Sequence, residues 1–167
     1  MILKGENKKR SLPGGEAGFT LVEVIVVVII IGVLVTVATI GVNRAIAHWN
    51  LVTAARTLVS DIRETRDNAL TLGTGAQVRF YQDWGYYERR IGEEVYEAVY
   101  LPVRVRFVKL TFDEDEVHAG VYKLHFAPSG NPAQAGSAYL KNSVGEYRAV
   151  KVLVGTGRVR ITEEAPP

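Results

Sequence analysis

The stretch Gly18-Phe-Thr-Leu-Val-Glu-Val-Ile-Val-Val-Val-Ile-Ile-Ile-Gly-Val-Leu-Val-Thr-Val-Ala-Thr-Ile-Gly-Val42 decides how the rest of the chain is read. Glu23 is its one charged residue, and seventeen of its residues are Phe, Leu, Ile or Val. A helix of about 20 residues, rising about 1.5 Å per residue, crosses the roughly 30 Å hydrocarbon core of a bilayer. Each of the seventeen favours insertion by about 0.3–0.6 kcal/mol, against about 2.5–3.5 kcal/mol for one acid at mid-membrane. Insertion therefore wins even with Glu23 charged, and helix is the open single-chain form in which every backbone group is bonded internally.

A cleavable secretory signal has its cut site after the apolar region. Here the polar-to-apolar junction precedes it, so a cut between Gly18 and Phe19 leaves the span on the product. Residues 1–18 carry Lys4, Lys8, Lys9 and Arg10 against Glu6 and Glu16, with Pro13, Gly14 and Gly15 marking a tether. They account for the whole formal charge of +2, so the sequence pI near 8.9 is no argument for a nucleic-acid partner. It is an argument for topology, because basic residues before a span keep that end in the cytoplasm.

The G-F-T-L-V-E sequence, with Gly18, Phe19 and Glu23 so spaced, resembles the prepilin peptidase recognition site of type IV pilins and type II secretion pseudopilins. The resemblance implies cleavage after Gly18, methylation of the new amino terminus on Phe19, and packing of the apolar helix in a filament core. It also implies that Glu23 pairs with a neighbouring subunit's amino terminus and sets register. Farther on, HFAPSG (Phe126, Pro128, Gly130) and the late GEYRAVKVLVGTGRVRI resemble the C-terminal domain of H-type minor pseudopilins and T-type minor fimbrial pilins. Expected partners are prepilin peptidase, other pilins or pseudopilins, a secretion or pilus assembly platform, and the bacterial inner membrane, crossed once with the head outside the cytoplasm. DNA is an alternative partner.

Beyond Gly41, Leu51, Ala55, Leu58, Ile62, Ala69 and Leu70 recur at helical spacing with charged residues between them, and Gly73 supplies a C-cap. This predicts one helix over 19–72, of which 19–42 is the span and 43–73, cap included, an amphipathic half that lays an apolar stripe on the head. From residue 74 onward the helical period gives way to short alternating runs, predicting a β-rich head over 74–167. Strands are expected at 77–82, 86–91, 95–101, 104–112, 121–127, 147–154 and 158–162, with a bulge where the alternation breaks in 104–110. The fold class is α+β, a long N-terminal helix packed on a small antiparallel β-sandwich or partly open barrel.

No residue pattern calls for catalysis. There is no cysteine, the three histidines lack ligand spacing, and Ser129 lies in a turn rather than a nucleophile motif. Asp113, Glu114, Asp115 and Glu116 lack the glycine and spacing of a calcium loop and read as a solvated turn. No cofactor, metal or small-molecule substrate is expected. Trp84, Tyr86, Tyr87, Tyr96 and Tyr100 read as cross-strand packing, with a partner surface as the alternative. Lys141, Arg148, Lys151, Arg158 and Arg160 against Glu146 give residues 141–160 a local +4. Arg158 and Arg160, two apart, share a strand face, and G-R-x-R resembles the DNA-contacting motif of T-type minor pilins. Arg148 and Lys151 are the accompanying candidates.

Overall fold

The computed structural model describes residues 18–167, without the side chains of residues 37–40. The expected leader therefore lies outside the described residues, apart from Gly18. Two compact units are present, one ending at Ile40 and one spanning Gly41–Pro167. Among the described residues are one helix, α1 (Leu21–Leu72), and nine strands. In order these are β1 (Ala76–Tyr81), β2 (Tyr86–Ile91), β3 (Glu94–Tyr100), β4 (Val105–Leu110), β5 (Asp113–Glu114), β6 (Val121–Phe126), β7 (Gly136–Asn142), β8 (Tyr147–Val152) and β9 (Val159–Thr162).

In the first unit α1 is long and apolar enough to cross a membrane, and its side chains from Leu21 to Thr36 are exposed. In the second, α1 buries Ala47, Leu51, Ala54, Ala55, Leu58, Ile62 and Ala69 against the sheets and ends at Gly73, whose φ of 61° is the left-handed cap expected there. Each large apolar side chain so buried contributes about 1.5–3 kcal/mol. The stripe departs from expectation at two residues. Leu70 is half exposed, and Asp61, expected on the polar side, is buried because Tyr87 and Arg89 come to it from β2.

All sheet pairing is antiparallel, in two sheets of order β3-β2-β1-β6-β5 and β4-β7-β8-β9. They meet at Phe80 of β1, which stacks on Phe112 and takes Phe107 of β4 edge-on. The expected bulge is present between Phe107 and Lys109, where one extra β4 residue opposes β7. Strand 104–112 is shorter than expected, Arg104 lies in the preceding turn, and Arg158 precedes β9 rather than opening it.

Sequence reading missed β7, the strand between β4 and β8, and the two-residue β5. Strand β7 opens Gly-Ser-Ala, residues of weak strand preference. The reason is packing: a Cβ on Gly136 would lie 2.2 Å from Phe112 Cδ1. The small residue makes room for the aromatic junction between the sheets, so a site that reads locally as loop is a central strand.

Candidate functional site

Gly18, Phe19 and Thr20 precede the helix, all three exposed. Thr20 ends the non-helical segment: its Oγ1 accepts the Glu23 backbone N–H at 3.2 Å, and its carbonyl accepts that of Val24 at 3.2 Å. Thr20 is thus the N-cap and Glu23 stands at the third helical position, the T-x-x-E arrangement of a capping box. That signal was present in the sequence and passed unread. The Gly18–Phe19 peptide bond therefore lies outside the helix. Among the described residues the Glu23 carboxylate has no cationic partner.

The basic candidates separate into two pairs. Arg148 lies 2.8 Å from Glu163 and Lys151 pairs with Glu164, so the chain's own C-terminal carboxylates occupy both. The +4 of residues 141–160 stops just short of these acids, which is why sequence reading counted the pair as free. Arg158 and Arg160 are exposed and form no ion pair among the described residues. They line one hollow with Arg63, Arg66 and Asp67 of α1. Arg63 Nη2 donates to Val159 O of β9 at 3.4 Å, and Arg66 Nε donates to Gly130 O in the turn after β6 at 2.9 Å. Sequence reading did not associate Arg63 and Arg66 with this pair, since roughly a hundred residues separate them.

The acidic run is used structurally. Asp115 is buried, takes Lys123 at 2.7 Å, and accepts the backbone N–H groups of Val117 and His118, while Glu114 accepts that of Gly120. Lys123 and those N–H groups hold the Asp115 carboxyl well below the usual range. The aromatic residues divide. Tyr81, Tyr86 and Tyr100 stack in sequence across β1, β2 and β3, Tyr87 is buried, and Arg89 lies over Tyr96. Trp84 is open at the β1–β2 turn.

Residues 14–39 match the model of the prokaryotic N-terminal methylation motif. The chain is similar in structure to the minor pseudopilin EpsH of the Vibrio cholerae type 2 secretion system, with a TM-score of 0.53, 12% identity, and coverage of 68% of this chain and 97% of that one. It is likewise similar to the type IV minor pilin FimU of Pseudomonas aeruginosa PAO1, with a TM-score of 0.53, 14% identity, and coverage of 70% and 92%. Comparison with curated protein sequences gives no match. The chain thus shares the fold of these minor pseudopilin and minor pilin structures, and the methylation motif covers the start of its apolar helix.

Proposed function

We propose that the chain is a non-enzymatic minor pseudopilin, a structural subunit of a type II secretion pseudopilus or type IV pilus-like filament that acts at filament initiation or the tip. On this reading the span lies in the inner membrane with its N-terminus cytoplasmic and the head outside. Prepilin peptidase cuts after Gly18, Phe19 is N-methylated, and Glu23 meets a neighbour's amino terminus during assembly. The observation that carries it is the position of the Gly18–Phe19 bond, exposed and immediately before a capped apolar helix within the methylation motif. A neutral helix core makes an unpaired acid costly, so a carboxylate without a cationic partner among the described residues supports a partner supplied by the filament.

Co-expression with prepilin peptidase tests this. Mass spectrometry should find a product beginning at methylated Phe19, lost in Gly18→Leu. Glu23→Val should still be cut but should fail to enter filaments. An uncut wild-type chain overturns the reading.

A second reading, a minor pilin that binds DNA for uptake, is favoured by one observation: among the described residues Arg158 and Arg160 form no ion pair, and they line one hollow with Arg63, Arg66 and a single carboxylate, Asp67. Guanidinium groups so grouped suit successive phosphates. Binding of the detergent-solubilised full chain to duplex DNA across a salt series tests it. Loss in the Arg158→Ala, Arg160→Ala variant supports the role, and equal binding by the variant removes it.

A further inference from the structure

Where the second unit begins, three turns gather beside residues 47–50 of α1. Asn142 Nδ2 donates to Ala47 O at 3.1 Å, Asn50 Nδ2 to Val103 O at 3.3 Å, and the Leu101 N–H to Gly85 O at 2.9 Å. The turns at 82–85, 101–104 and 142–145 thus occupy one end of the head. Each presents a large apolar residue where turns ordinarily carry polar ones: Trp84 is 79% exposed, Val103 78% and Val144 45%. Trp49, on the same turn of α1, is 62% exposed.

Cations lie between these tips. Arg106 and Lys141 are register partners across β4 and β7, and with Arg104 and Val144 they line a hollow of about 590 Å³ whose lining includes no carboxylate. Arg106 also borders the hollow beside Trp84, next to Asp83. Among the described residues none of the three cations has a carboxylate partner; Lys141 rests over the Tyr147 ring. Carboxylates flank the cations at this end: Gly120, whose N–H donates to Glu114, lies beside Asp83 and accepts the Gln82 N–H, and Glu146 accepts from Asn142 Nδ2 and pairs with His48. Arg104 has φ of 70° at the third position of a turn closed by the Val105 N–H and Pro102 O, a place that ordinarily takes glycine. An arginine is held at the turn's apex against its backbone preference.

We propose that this end of the head docks on the surface of an anionic phospholipid bilayer. Trp49, Trp84, Val103 and Val144 enter the interface, and Arg104, Arg106 and Lys141 meet lipid phosphates. The proposal rests on reading 19–42 as a membrane span. Val42 is five residues from Ala47 and eight from Asn50, about 8–12 Å along a helix. That is the scale of the headgroup layer beside a roughly 30 Å core. Exposed tryptophans and cations are the pairing that interfaces favour. Each cation near an anionic surface strengthens attachment about fivefold. The docked head belongs to the subunit waiting in the membrane, and entry into a filament breaks the contact.

The chain lacks cysteine, so Val144→Cys accepts a single fluorophore. Full-length protein, one chain per nanodisc, is prepared in phosphatidylcholine with and without phosphatidylglycerol and with a quencher at headgroup depth. Quenching should be strong with phosphatidylglycerol, weak without it, and relieved by salt. Arg104→Gly with Arg106→Gln should lower the docking constant about 25-fold; glycine suits the backbone at 104, so the fold is kept. Equal quenching in both lipids, or no effect of the double variant, overturns docking. A signal that appears only with several chains per disc also overturns it and identifies a second copy as the occupant. Release of the wild-type chain from the discs by alkaline carbonate would instead remove the span, an outcome distinct from the others.

Discussion

Arg89 Nη2 on β2 lies 2.6 Å from Glu64 Oε1 on α1, closing a clasp between the helix and the sheet. The arginine side chain is 5% exposed and also meets Glu97 at 2.7 Å and the buried Asp61 at 3.6 Å. Removing a buried cation leaves its buried partner uncompensated, which costs about 3–5 kcal/mol, whereas half-exposed ion pairs are worth about 0–1 kcal/mol. Arg89→Met should therefore lower stability by several kcal/mol, and Glu97→Gln by no more than about 1 kcal/mol. Urea unfolding of the two variants beside wild type decides it; similar losses in both would show that the clasp acts through its exposed members.

The same clasp sets an alkaline limit. Burial, then the hydrogen bond to Asp61 and its charge, push the Tyr87 phenol above its ordinary value of 10.0. The folded chain keeps this proton where the unfolded chain gives it up. Its contribution is complete below about pH 10 and declines as pH rises beyond that, since the unfolded state then binds fewer protons. Tyr87→Phe should be less stable by about 1 kcal/mol near neutrality, through the lost hydrogen bond, yet show a flatter decline above about pH 10. Thermal unfolding against pH measures both; parallel alkaline limbs would assign the decline to other groups.

At the acid end the corresponding group is Asp115. Its depressed pKa, caused first by Lys123, means that its contribution is present above the ordinary carboxylate range and lost as pH falls through the lower folded value. Asp115→Asn should melt at lower temperature at neutral pH and converge with wild type as the medium is made strongly acidic. A constant gap down to the lowest accessible pH would show that backbone capping, not charge, carries the effect.

Much of this architecture was legible because its signals are local and periodic. The apolar run to Val42, the stripe from Leu51 to Ala69, the Gly73 cap and the β4 bulge each follow from spacing within a few residues. What escaped depends on contacts distant in sequence. Gly136 is glycine because of Phe112, Asp61 is buried because Arg89 and Tyr87 reach it, and Arg148 and Lys151 are paired by acids beyond the window in which charge was counted. The Gly18–Phe19 site is legible in its motif, and the cap beside it is as local, a T-x-x-E spacing that the Thr20–Glu23 contact realises.

The C-terminal acids give the DNA reading a sharper test than removal of arginines. Glu163 and Glu164 hold Arg148 and Lys151, on the strand whose Lys151 is the register partner of Arg160. If phosphates are bound beside β9, freeing those two cations adds contacts next to an existing pair. Each added phosphate contact steepens the dependence of log affinity on log salt by about 0.9. Glu163→Gln with Glu164→Gln should therefore raise affinity for duplex DNA at low salt and steepen the slope by up to about 2, in a background where Arg158 and Arg160 are intact. The same change with Arg158→Ala and Arg160→Ala should give little binding. Tight binding by the quadruple variant would mean that DNA is attracted to added positive charge anywhere on the head, and the arginine pair would lose its assigned role.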